Sequence, residues 1–148
     1  MKKQIDLEPL HVIIRRFEGF RSKPYLCPAG VWTIGYGSTR GITKDHPPVT
    51  EKQAEVMMRL DALGSYQQAL ELSPVLSNHP MIACAIADFI YNLGAGRYRA
   101  STLRRKVAER NWPEVCEQLA RWVWGGGKKL PGLVARRAVE VRLVQSDH

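Results

Sequence analysis

Acidic residues are scarce in this chain: 14 Asp and Glu stand against 22 Lys and Arg, leaving a net charge of +8. A surface this basic points to anionic partners, whether nucleic acid, anionic lipid or an acidic polymer, without choosing among them. Cysteine is sparse as well. Cys27, Cys84 and Cys116 form an odd set whose spacings match no metal motif, and no His/Cys/Asp cluster suggests a metal or other cofactor. A Cys84–Cys116 disulfide is one reading; two small buried residues on apolar helix faces is the other. Long apolar runs are missing too. The opening Met1-Lys2-Lys3 is basic, but Asp6, Glu8, His11, Arg15 and Arg16 interrupt the apolar positions after it. Neither a signal peptide nor a membrane-spanning segment is expected, and a soluble chain made in the cytoplasm is. No repeat, low-complexity tract or flexible linker divides the 148 residues, which read as one domain able to bury its own core.

The residues that are present read mainly as helix. Asp6 is placed to cap a first helix whose apolar stripe is Leu7, Leu10, Ile13, Ile14 and Phe17, with Gly19 as its stop. Glu18 then falls in the last turn, at the negative end of the helix dipole, where its neutral form is favoured. Helix design usually sets a cation there, so an acid invites a functional reading, although exposed acids at helix ends also occur. Tyr25-Leu26-Cys27 leads into the turn Pro28-Ala29-Gly30, and Val31 to Tyr36 alternates as a strand. Thr33, Gly35 and Gly37 share a face on which the glycines either leave room for something bulky or serve sheet geometry alone.

Thr50-Glu51-Lys52-Gln53 is a capping box opening a helix with apolar positions Val56, Met57, Leu60, Leu63 and Leu70, open to a bend at Gly64-Ser65. Met81 to Leu93, closed by Gly94, is apolar on more than one face and reads as a central helix. Ser101 caps Thr102 to Arg110, and Asn111-Trp112-Pro113-Glu114 starts a further helix like a capping box. Gly125-Gly126-Gly127 reads as a mobile or ligand-hugging loop. Pro131 opens a last helix with Val134, Ala138 and Val141 on its apolar side and Arg136, Arg137 and Arg142 among its basic residues.

Glu18 and the hairpin together suggest glycoside hydrolysis. That reaction needs a proton for the leaving oxygen and a second group that activates water or attacks carbon. A carboxyl held neutral meets the first need. Thr33 offers a hydroxyl that can hold a water. Trp32, Tyr36 and Tyr91 are able to pack on sugar faces, though core packing accounts for any single one of them more simply.

The spacing Glu18, eight residues, Cys27, five residues, Thr33 resembles the phage lysozyme (endolysin) pattern of glycoside hydrolase family 24. Phe17-Glu18-Gly19-Phe20, Trp32-Thr33-Ile34-Gly35-Tyr36-Gly37, Phe89-Ile90-Tyr91-Asn92-Leu93-Gly94 with Ser101-Thr102-Leu103, and Trp124-Gly125-Gly126 with Lys129 to Val134 and Arg136-Arg137 continue the resemblance over nearly the whole chain. It implies an α+β, mainly helical, two-lobed lysozyme-like fold. Helix and small sheet would take about residues 1–50, a connector helix about 51–74 and a helical lobe about 75–148. It implies hydrolysis of the β-1,4 bond between N-acetylmuramic acid and N-acetylglucosamine in peptidoglycan glycan strands, with no cofactor. Glu18 would be the general acid and Thr33 would position water. Thr39, Tyr91, Thr102 and Gln118 align with cleft positions that contact glycan in relatives, and Arg136 or Arg137 is left as a neighbour of Glu18 or a surface charge.

Cys27 departs from the aspartate that many relatives carry. Its sulfur is open to three readings: a thiolate base or nucleophile, a neutral filler, or a redox switch. A lytic transglycosylase acting on the same bond, and a non-enzymatic basic module binding nucleic acid or anionic membrane, are the competing functions. No nucleic-acid motif supports the latter, and core packing explains the apolar side of the last helix more simply than stable membrane insertion. A monomer made in the host cytoplasm and released to the periplasmic wall, through a holin or a tail-like particle, completes the expectation.

Overall fold

A computed structural model describes residues 5–147; the basic opening, Met1 to Gln4, and His148 lie outside them. The fold is mainly helical, with a small sheet near its start. Helix α1 (Glu8–Glu18) leads into an antiparallel hairpin of β1 (Arg21–Leu26) and β2 (Trp32–Gly35). The long α2 (Glu51–Leu72) and a 3-10 turn (Pro74–Asn78) bring the chain to α3 (Pro80–Leu93). After these come α4 (Ala95–Arg99), α5 (Thr102–Ala108), α6 (Trp112–Ala120), a two-residue hairpin β3 (Trp124–Gly125) and β4 (Lys128–Lys129), and α7 (Pro131–Ser146). Among the described residues no helix is long and apolar enough to cross a membrane.

α3 is the hub. Every residue from Ile82 to Ile90 is buried, and α1, α2 and α7 pack around it. Each fully buried Ile or Phe there contributes about 1.5–3 kcal/mol of transfer free energy, which is why this apolar stretch anchors the fold. Local signals hold at most ends. Thr50 and Gln53 make both halves of the capping box, and Ser101 accepts from Arg104 N. Asp6 works one position early: Leu7 occupies the cap of α1, and the Asp6 carboxylate takes the Glu8 N–H at 2.9 Å. At Asn111 only half a box forms, because the Glu114 carboxylate accepts from Gln118 Nε2 instead.

Two helices bury a face other than the one their apolar residues suggest. In α2 the buried positions are Ala54, Met58, Ala62, Ser65, Tyr66 and Ala69, whereas Val56, Leu60 and Leu63 are exposed. Small residues let α2 lie close on α3 and on Gly35, where a Cβ would stand 3.1 Å from Ala54 Cβ. The helix runs unbroken through Gly64 and Ser65. In α7 the reversal is sharper: Arg136, Arg137 and Glu140 are buried with Val144, while Val134 is exposed. Carboxylates from α1 and α3 meet these guanidiniums inside the protein, so charge pairing rather than apolar area decides which side faces in. Gly125-Gly126-Gly127 is a tight hairpin turn and not an open loop, with φ of 57° and 77° at Gly126 and Gly127, a conformation that L side chains rarely adopt. Cys84 and Cys116 are free thiols; Cys84 is buried in α3, which pushes its thiol up to about 11.

Candidate active site

The last turn of α1 carries Glu18 to the junction of three elements. From behind, α7 supplies Arg136, whose Nη1 donates to Glu18 Oε2 at 2.7 Å. From the front, the turn after β2 supplies Gly37. A Cβ at Gly37 would lie 2.8 Å from Glu18 Oε1, and its φ of +88° suits glycine alone. The glycine face of the hairpin is therefore filled by the protein itself, by Ala54 at Gly35 and by the Glu18 carboxylate at Gly37. The strand ends at Gly35 and bends back through an Ile34–Ser38 bridge, so the alternation expected through Tyr36 and Gly37 does not continue.

Arg136 is itself held. Its Nε and Nη2 donate to the two oxygens of Asp88 on α3, both at 2.8 Å, and it is 3% exposed. Burial pushes the Asp88 carboxyl up, but hydrogen bonds and charge from Arg136 outweigh it and hold the group below its usual range. Next in line, Arg137 Nη2 donates to Glu140 Oε2 at 3.0 Å and to Asn92 Oδ1 at 2.7 Å. Arg137 Nε stands 3.0 Å from Glu140 Oε1 without the alignment of a hydrogen bond. Burial, and then the neighbouring Asp88 charge, push Glu140 well above the carboxylate range. Two guanidiniums thus face three carboxyls, and one proton on Glu140 balances the cluster. Two opposing influences meet at Glu18, the negative helix end and the Arg136 cation.

Cys27 lies at the end of the hairpin. Its N–H donates to Val31 O at 3.0 Å, and its carbonyl accepts from Gly30 N at 2.8 Å. Hydrogen bonding from the Val31 backbone lowers the thiol below its ordinary range against the upward push of burial, with further contributions from Ala29, the Thr33 hydroxyl and Gly30. Thr33 is 4% exposed, and its Oγ1 donates to Val31 O at 2.9 Å. Tyr25, paired with Thr33 across the hairpin, feels burial first and then the charges of Glu18, Arg21 and Cys27. It stands within electrostatic reach of both candidate groups.

Beside Glu18 opens a cavity of about 340 Å³ whose wall includes Gly37, Thr39 and Tyr91. The Tyr91 hydroxyl donates to Tyr36 O at 2.6 Å, tying α3 to the turn that backs the carboxylate. Thr39 and Tyr91 are thus brought together at one cavity. Thr102 is exposed in the first turn of α5, and Gln118 is buried in α6 with its amide on Glu114; neither lines that cavity. Sequence reasoning passed over Asp88 and Gly37 as parts of this site and left Arg136 unresolved against Arg137. Asp88 had a signal, an acid in the middle of the most apolar helix of the chain.

A family model described as Phage lysozyme matches residues 15–140. The SAR-endolysin of Bacteriophage PS119 is 35% identical over 125 residues, covering 83% of this chain and 73% of that protein. The endolysin of Acyrthosiphon pisum secondary endosymbiont phage 1 is 33% identical over 144 residues, covering 91% and 94%. Among solved structures, the muramidase domain of SpmX from Asticaccaulis excentricus superposes with a TM-score of 0.81 at 28% identity, covering 97% of this chain and 98% of that one.

Proposed function

The chain belongs to the phage lysozyme family, and from that premise we infer its work: it is a glycoside hydrolase, a muramidase that degrades peptidoglycan. We assign Glu18 as the general acid. Its proton passes to the glycosidic oxygen as the C1–O bond breaks, and the bonding pair leaves with the N-acetylglucosamine alcohol. The observation that carries this reading is the placement of a carboxylate at a helix end, fixed by Arg136 at 2.7 Å and set against Gly37, which lines an open cleft.

Thr33 and Cys27 serve the water that attacks C1. The Thr33 hydroxyl lies against Val31 O and beside the Cys27 thiol, and its oxygen lone pairs can accept from a water. The lowered Cys27 thiol supports a thiolate that takes the water's other proton, the work an aspartate does in many relatives. Thr39 and Tyr91 line the glycan cleft, with Thr102 and Gln118 on more distant parts of the helical lobe. We propose that the chain acts, as a monomer, on the wall in the periplasm.

Glu18→Gln tests the assignment. It keeps the shape and the hydrogen bond to Arg136 and removes the proton donor, so wall lysis in a peptidoglycan gel should vanish while thermal unfolding stays within a few degrees. Substantial lysis by a folded Glu18→Gln protein refutes it.

A further inference from the structure

α2 leaves one side in solvent along nearly its whole length. Lys52, Val56, Leu60, Leu63, Gln67 and Glu71 are all exposed. At about 3.6 residues per turn these six fall within about 100° of one another around the helix axis. The centre of the stripe is apolar: Val56 is 56% exposed, Leu60 67% and Leu63 43%. Among the described residues nothing covers it, because the alanines on the opposite side make the contact with α3. Its ends carry opposite charges, Lys52 in the first turn and Glu71 in the last. Among the described residues neither enters an ion pair, whereas Arg15 and Arg59 on the flank each pair with Glu55 at 2.7 Å.

An apolar stripe with a free cation at one end and a free anion at the other is its own complement when the helix is reversed. Set antiparallel on a second α2, with a two-fold axis between Asp61 and Ala62, Lys52 meets Glu71 of the second copy. Val56 then lies on the stem of Gln67 and Leu60 packs on Leu63, and each contact occurs twice. Gly64, beside the stripe, leaves open space for a facing side chain. An anionic membrane suits this face less well, because α2 carries Glu51, Glu55, Asp61 and Glu71 against Lys52 and Arg59 alone. We propose that the exposed face of α2 is a self-association surface, on which two copies of the chain form an antiparallel two-fold dimer. Leu60 also lines the cavity beside Glu18, and Gly64 and Gln68 line it from the adjoining side of the helix. A second copy seated on the stripe stands at the mouth of that cavity, so the dimer shuts glycan out and the monomer is the form that cuts. That consequence rests on the muramidase reading; the dimer itself does not. One pair of helices buries less than a standard interface, so the dimer is weak and comes apart on dilution. The chain is therefore silent where it is concentrated and active where it is dilute.

Two measurements on the full chain decide it. The first is sedimentation velocity from about 1 µM to about 500 µM, over which the wild type should pass from monomer to dimer. Leu63→Glu should stay monomeric throughout. Lys52→Glu and Glu71→Lys should each raise the midpoint concentration at least about fivefold, since like charges then face each other, and the double variant Lys52→Glu/Glu71→Lys should return it to the wild-type value. These positions are exposed, so the variants should unfold at the wild-type temperature. A wild type that is monomeric at every concentration, or a dimer indifferent to the single charge reversals, overturns the surface; a monomer that instead co-sediments with phosphatidylglycerol vesicles gives the face to a membrane and overturns it too. The second measurement is the rate per molecule on soluble peptidoglycan fragments over the same range. It should fall at least about twofold in the wild type as the dimer forms and stay level in Leu63→Glu; a level rate in a dimerising wild type overturns the occlusion. If the wild type cleaves nothing at any concentration, the muramidase reading fails, and sedimentation still decides the dimer by itself.

Discussion

Arg136 offers the sharpest test of how the site is built, because it joins three elements at one guanidinium. It is 3% exposed, it faces Asp88 at 0% exposure, and it makes two 2.8 Å bonds there and one of 2.7 Å to Glu18. Arg136→Met keeps much of the side-chain volume and removes the charge, leaving Asp88 buried and unpaired. Breaking a buried pair in this way costs about 3–5 kcal/mol. At about 2–4 °C per kcal/mol for a chain of this size, the unfolding midpoint should fall by roughly 6–20 °C. Asp88 would then be neutral in the folded state, so the loss should shrink as pH falls below the ordinary carboxylate range. The double variant Arg136→Met/Asp88→Asn removes the orphaned charge and should recover more than half of the lost stability. Lysis should not recover with it, because Glu18 still lacks its holder. Calorimetry and denaturant unfolding of the three proteins, with turnover on purified wall, give the cycle. A single-variant loss under about 1 kcal/mol, which is what an exposed pair is worth, or a double variant no more stable than the single, contradicts a buried charge pair at the heart of the site.

Other outcomes rest on the same geometry. Glu140 has a folded-state affinity for its proton raised above that of the unfolded chain, so wild-type stability should decline as pH rises above the ordinary glutamate value of 4.5, by up to about 1.4 kcal/mol per pH unit until the folded group ionises. Glu140→Gln should abolish that decline and match or exceed the wild type at about pH 7.5; a steeper decline in the variant contradicts a protonated Glu140. Gly37→Ala forces a side chain onto φ +88° and against the Glu18 carboxylate, so it should cost about 1–2 kcal/mol and cut turnover about 100-fold. A fully active Gly37→Ala means that the carboxylate is not held there. Cys27→Ser should lose most lysis and Cys27→Asp keep it. Because the thiol is lowered, wild-type activity should rise with pH through the range below an ordinary thiol, a limb that Cys27→Asp lacks; full activity after thiol blocking excludes the sulfur from the reaction.

Much of the fold is readable along the chain. The capping box at Thr50, the apolar run that becomes α3, and the acid at the end of α1 are local signals, and each is expressed where it stands. The hairpin carrying Cys27 and Thr33 is equally local, since Pro28 and Gly30 make its turn. The features that escape a sequence reading depend on pairs distant along the chain. Periodicity assigns α7 an inward face of Val134, Ala138 and Val141; of these three only Val141 packs on the core, because Asp88 and Glu18 draw Arg136 inward, and no window of α7 contains either carboxylate. In α2 the larger apolar residues outweigh alanines on any hydrophobicity count, but close approach to α3 selects Ala54, Ala62 and Ala69.

Glu18 as the acid of a hydrolytic muramidase is tested most simply by mass analysis of purified peptidoglycan digested by the wild-type protein and by Glu18→Gln. Wild-type muropeptides should end in hydrated, reducing N-acetylmuramic acid, and none should rise above background from the variant. Anhydro ends from the wild type, or the same products from Glu18→Gln, would contradict that assignment.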